Sequence, residues 1–250
     1  MTKKLFLIFI IFSFLNQDIR GQQKNISYSD QQWFQYFLDL KFAKKWTFFS
    51  NFGVRSKQGF THPHQHVIFT GITYQLNKNI RFYQGFTHLG IYKNDALSKV
   101  EFRPFQEFRH KHKYGVVGIV NRIRVEERFF KTIVNNILQD SYTFNFRFRF
   151  LFVLNIKLFH FAPKKNDSAL LLSLGDEVFF NAGNNIVYNV FDQNRLLLGL
   201  IFKLHKNLSL SLTYDHQLIT SNIPNSYREN AIIWLRIKQR IDLTKKKSKI

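Results

Sequence analysis

The chain has 250 residues, 30 phenylalanines, no cysteine and a formal net charge of +21 at pH 7. The missing cysteines exclude a disulfide framework and thiol chemistry. The length suits a single large domain, since no Pro/Gly/Ser-rich linker divides it. The basic excess raises nucleic-acid binding as a function, but the cations recur along the chain at strand spacing rather than in one arm, so no nucleic-acid partner is expected.

Met1 to Gly21 reads as a secretory signal peptide. Lys3 and Lys4 form a positive start, and Leu5–Leu15 is an apolar stretch of roughly ten residues, too short for a membrane helix of about 20. Without this leader the chain still carries 34 basic and 15 acidic residues, from 37 and 16, and stays near +19.

The remainder, 22–243, repeats one pattern of strand, short basic turn, strand and longer polar loop. Gln32–Phe42 alternates, with Phe34, Tyr36, Leu38 and Leu40 on one face. Trp46–Lys57 returns after Lys44-Lys45, and Trp46 suits a membrane-edge position. Gln65–Leu76 and Ile80–Tyr92 flank the tight turn Asn77-Lys78-Asn79. Lys93–Lys99 reads as a loop. Val100–Lys111 places Glu101, Arg103, Glu107 and Arg109 on one face. Val116–Arg128 sets Val117, Ile119, Ile123 and Val125 against Arg122, Arg124, Glu126 and Arg128. Phe129–Asp140 reads as a longer loop.

Tyr142–Leu154 is the most informative stretch. Tyr142, Phe144, Phe146, Phe148, Phe150, Phe152 and Leu154 take every second position, with Thr143, Asn145, Arg147 and Arg149 between them. A period of two gives a strand with two unlike faces. A turn is expected at 162–167. Ala169–Asn181 sets Leu170, Leu172 and Leu174 against Ser173 and Glu177. Val190–Leu204 sets Leu196, Leu198 and Leu200 against Gln193 and Arg195. Leu208–Ile219 and Glu229–Leu243 alternate likewise, with Asp215 and Gln217, then Asn230, Arg236, Lys238 and Arg240, on the polar faces. A basic tail, 244–250, ends the chain.

These runs exceed the roughly 9–11 residues that a tilted membrane strand needs. Desolvation costs several kcal/mol per buried ion, so a dry soluble core would not hold so many charges. The expectation is an all-β fold: a single antiparallel transmembrane β-barrel of outer-membrane type with about 10–12 strands, its rings toward lipid and its charges toward a wet lumen. Eleven segments are counted, whereas bacterial single-chain barrels use an even number. Either 22–30 adds a strand or one segment lies outside the wall.

Glu101, Arg103, Glu107, Arg109, Arg122, Arg124, Glu126, Arg128, Arg147, Arg149, Glu177, Arg195 and Arg236 form the expected lumen charge network. It reads either as a structural brace or as an arginine-lined site or pore for small anionic solutes. Outer-membrane lipid is the other expected partner, and no cofactor is expected. His62, His64 and His66 would share one face of a regular strand and suit a transition metal. No nearby Cys or Asp completes that set, so a solvated rim is expected. Trp33 and Trp234 fit either an interfacial girdle or ordinary packing. No G-x-S-x-G or phosphate-loop motif supports an enzyme, including an outer-membrane hydrolase. The other alternative is an exported soluble barrel that holds an apolar ligand, as lipocalins do.

The series Trp33, Lys44-Lys45-Trp46, Arg55, Glu101-Phe102-Arg103-Pro104, Arg122–Arg128, Arg147-Phe148-Arg149, Glu177 with Phe179 and Asn181, and Phe191–Arg195 before Gly199 resembles the Bacteroidetes outer-membrane family known as domain of unknown function 2490. The resemblance implies an outer-membrane β-barrel and carries no activity with it.

Overall fold

The computed structural model describes residues 24–161 and 168–244. The leader, the expected turn at 162–167 and the basic tail beyond 244 lie outside the described residues. The twelve strands are β1 (Asn25–Lys41), β2 (Trp46–Lys57), β3 (His62–Gln75), β4 (Ile80–Lys93), β5 (Ala96–Tyr114), β6 (Val117–Val134), β7 (Ile137–Leu138), β8 (Thr143–Phe159), β9 (Ala169–Ala182), β10 (Phe191–His205), β11 (Leu208–Thr220) and β12 (Ser226–Asp242). The two-residue β7 pairs only with the end of β6. The other eleven form a meander in which each strand pairs antiparallel with its chain neighbour, and β1 meets β12 to close a barrel.

That closing pair is parallel, with Asn25 opposite Ser226 and Lys41 opposite Asp242. An odd number of alternating strands leaves the first and last pointing the same way, so parity dictates the seam. The eleven counted segments are therefore all in the wall. Residues 25–30 lengthen β1 instead of adding a strand.

Strands also run further than side-chain polarity suggests. The stretch 93–99 is a two-residue turn at Asn94-Asp95 between β4 and β5. Both turn residues have positive φ, 50° and 61°, a region that Asn and Asp tolerate better than most residues. Much of the expected loop 129–140 is the end of β6 and its β7 hairpin. Polar strand ends can continue the ladder because its hydrogen bonds use only backbone groups.

The alternation of faces is preserved around the wall. Phe52, Ile68, Phe86, Phe102, Phe108, Ile123, Phe150, Phe152, Leu198, Leu212 and Ile233 are exposed on the exterior. The interior holds a small aromatic cluster of Phe49, Tyr83 and Phe105, with Phe69 packed against it. One cross-strand rung explains it: Phe49 lies opposite Gly71, Gly71 opposite Gly85, and Gly85 opposite Phe105. A Cβ on Gly71 would come within 2.7 Å of Phe49 Cζ, and one on Gly85 within 2.8 Å of Phe105 Cζ. The two bare positions make the space into which the rings fold.

Candidate functional site: the charged lumen

The lumen network grows from adjacent inward positions on β5, β6, β8, β9, β10 and β11. Glu126 of β6 is fully buried. Arg147 Nε donates to its Oε2 at 2.8 Å, and Arg149 Nη1 donates to its Oε1 at 2.7 Å. Arg124 and Arg103 approach the same carboxylate at 3.4 and 3.6 Å. Register produces this convergence, because Glu126 lies opposite Arg147 and Arg149 lies opposite Arg124.

The remaining carboxylates act as further nodes. Glu101 accepts from Arg103 Nε at 2.8 Å and Arg128 Nε at 2.7 Å. Glu107 accepts from Arg124 Nε at 2.7 Å and pairs with Arg109. Glu177 accepts from Arg149 Nε at 2.8 Å and pairs with Arg122, with Arg195 at 3.8 Å. Asp192 accepts from Arg147 Nη1 at 3.1 Å, and Asp215 from Arg195 Nε at 2.9 Å. Guanidinium forks match carboxylates in two-point contacts, which lets one acid serve several arginines.

All thirteen residues expected from the sequence face the interior. Twelve of them join through ion pairs, whereas Arg236 has no carboxylate partner among the described residues and donates to Thr213 Oγ1 at 2.6 Å. Sequence reasoning missed Arg55 as a lumen arginine; it donates to Gln65 Oε1 at 2.6 Å. It had placed Asp215 on a polar face without linking it to Arg195, and it gave Asp192 no role. Asp192 sits at an irregularity in the β9–β10 register, which removes the alternation that would have flagged it.

Trp33 and Trp234 point inward, against the girdle alternative. Their rings meet edge to face at 5.5 Å. The Arg55 guanidinium lies 3.8 Å from the Trp33 ring, and that of Arg236 4.4 Å from the Trp234 ring. Both indoles sit beside cations and so take lumen positions, since an aromatic face attracts a guanidinium. Trp46 is exposed on the exterior at the β1–β2 turn, packed on Tyr74.

The three histidines of H-x-H-x-H do not converge. A bulge leaves His64 between the pairs Ser56–Pro63 and Arg55–Gln65, which breaks the shared face. His62 Nδ1 lies 3.0 Å from Asp95 Oδ1, His64 lines the lumen, and His66 Nδ1 lies 3.1 Å from the Tyr92 hydroxyl.

Between the network and the opposite wall lies a cavity of about 700 Å³. Among the described residues, thirteen arginines and lysines line it but only four carboxylates, those of Asp39, Glu101, Glu177 and Asp192. Glu107, Glu126 and Asp215 are buried behind the guanidinium groups they hold. The surface facing the cavity is therefore far more cationic than the wall as a whole. Polar pairs complete it, including Gln35 to Asn51 at 2.7 Å and Gln217 to Gln193 at 2.8 Å.

No curated protein matches the chain. Among solved structures, a mutant of the ferric enterobactin receptor from Pseudomonas aeruginosa is similar at 8% identity and a TM-score of 0.30. The match covers 71% of this chain and only 35% of that receptor, so this chain spans about a third of its length. The family model described as "Protein of unknown function (DUF2490)" matches residues 30–228. With most of the chain inside that match, the protein belongs to the DUF2490 family.

Proposed function

We propose that this protein is an outer-membrane barrel whose lumen forms a narrow, anion-favouring path. The observation that carries the proposal is the inversion of polarity, with ionised groups inside and large apolar side chains exposed outside. Soluble monomers rarely expose a contiguous apolar patch beyond roughly 300–600 Å², and here exposed rings and aliphatic chains occur on every wall strand. Lipid is the solvent that such an exterior fits. The same inversion disfavours the lipocalin-like alternative, because a lumen lined by thirteen cations offers little to an apolar ligand.

Anion preference follows from the cavity surface. Glu107, Glu126 and Asp215 lie beneath guanidinium groups and cations outnumber the acids that line the cavity, so an entering solute meets a mainly positive surface, and arginine-lined pores favour anions. The network also fills one side of the lumen and narrows the path.

Reconstitution tests both parts. The purified protein should need detergent and show heat-modifiable gel mobility; a monodisperse detergent-free sample would refute the membrane reading. In planar bilayers under a potassium chloride gradient, the reversal potential should lie toward chloride. A cation-selective current would refute the anion preference, and no current above background would refute the path and leave a barrel braced shut.

A further inference from the structure

One rung of the wall crosses the parallel seam and brings together two arginines, Arg55 on the rung and Arg236 two residues along from it on β12, that have no acid partner among the described residues. Gln65 lies opposite Arg55, Arg55 opposite Trp33, Trp33 opposite Trp234, and Trp234 opposite Thr213. The indole pair occupies the centre of the rung, with Arg55 over Trp33 and Arg236 over Trp234. Arg195 reaches in from β10, 5.0 Å from the Trp33 ring and 5.3 Å from the Trp234 ring. The one carboxylate in this group, Asp215, is buried and holds Arg195.

This corner differs from the network across the lumen. Each arginine of the opposite network has a glutamate or aspartate partner, whereas Arg55 and Arg236 have only neutral acceptors, Gln65 and Thr213. Two more donors, Trp234 Nε1 and Arg236 Nε, are buried without a hydrogen-bond partner among the described residues. A buried donor without a partner costs about 1–3 kcal/mol. All four residues Arg55, Arg195, Trp234 and Arg236 line the 700 Å³ cavity, whose size falls in the range of small-molecule sites, about 300–1,000 Å³.

We infer that the Arg55–Trp33–Trp234–Arg236 corner is a binding site for a small oxyanion carrying two charges, of the phosphate or short dicarboxylate type. Such a ligand supplies the charged acceptors that the guanidinium groups of Arg55 and Arg236 lack. Two charges match the two uncompensated guanidiniums, and guanidinium forks engage carboxylate and phosphate oxygens in pairs. The Asp215 carboxylate does not oppose entry on its own, because Arg195 neutralises it. The site rests on the same cationic lumen as the proposed path but does not require that path to be open.

Tryptophan fluorescence reads it directly, since two of the three tryptophans belong to the corner and Trp46→Phe removes the exterior one. The W46F protein in non-ionic detergent is titrated with inorganic phosphate, with succinate, and with chloride at matched ionic strength. Saturable change with phosphate alone names a phosphate site, and change with succinate alone a dicarboxylate site; either supports the inference. No change beyond that of chloride with both overturns it. Arg55→Gln and Arg236→Gln should each weaken binding roughly tenfold or more, the effect of losing one charged hydrogen bond. Arg55→Lys, which keeps the charge without the fork, should fall between. Variants that keep heat-modifiable mobility and wild-type affinity also overturn the site. Binding without bilayer current would refute the path alone, and current without saturable binding would refute the site alone.

Discussion

Glu126→Gln is the sharpest probe of the lumen. The carboxylate is fully buried and collects four arginines, two of them at 2.7–2.8 Å. At an effective dielectric near 20, each unit-charge pair about 4 Å apart is worth ~4 kcal/mol. The two bonded guanidiniums thus hold Glu126 by roughly twice that, against a desolvation penalty of several kcal/mol that the neutral amide avoids. Repulsion among Arg103, Arg124, Arg147 and Arg149 is uncovered at the same time. The net loss should fall at about 3–5 kcal/mol, the range for breaking a buried pair by removing one partner. Urea unfolding of the detergent-solubilised barrel, followed by tryptophan fluorescence, measures it as a lower midpoint at unchanged slope. Glu229→Gln, on the exterior beside His216, serves as the reference and should change stability by less than about 1 kcal/mol. A Glu126→Gln loss below about 1 kcal/mol would refute the reasoning, and would mean that water in the lumen screens the network.

Three further outcomes are expected. Arg147→Glu or Arg149→Glu should exceed the roughly 3–5 kcal/mol of a broken pair and abolish the heat-stable band, whereas Phe148→Leu should keep it; equal tolerance would mean the faces are inverted. Gly71→Val places a side chain where a Cβ already lies 2.2 Å from the Gln84 carbonyl oxygen, so the unfolding midpoint should drop by at least the ~1–3 kcal/mol of an overpacked core; an unchanged midpoint would dismiss the Phe49–Phe105 rung as a constraint. Phe86→Arg, on the exterior, should cost about 2–4 kcal/mol in a bilayer if it lies near the midplane; a change within about 0.5 kcal/mol, as at an ordinary wet surface, would count against lipid on that face.

The wall was legible because its information is local. Alternation over five or six residues marks a strand and separates its faces, so the inward sets of β5, β6, β8 and β9 follow from the sequence, with Arg147 and Arg149 among them. Which charges meet is not local. Glu126 is reached from β5, β6 and β8, and that convergence depends on register and on the curvature of a closed sheet. Arg55 sits in V-R-S-K, where nothing distinguishes a lumen arginine from a basic strand end. His64 was misleading because a single bulge shifts the phase that the H-x-H-x-H reading assumes. The parity of the wall was visible as a count of eleven, but a parallel seam leaves no mark in either strand.

That seam has a consequence for how the molecule is approached from outside. A barrel with an even number of strands brings its last residue back to the mouth where it began. Here Asn25 and Asp242 lie at opposite mouths, a full strand apart, and 17 residues at about 3.3 Å each make that roughly 55 Å. Epitopes inserted just before Asn25 and just after Asp242 would be reached from opposite mouths of the barrel. A protease added to one side would remove one tag and spare the other. Joining Asp242 to Asn25 in a circular permutant would require a linker threaded through the lumen or along the outside of the barrel.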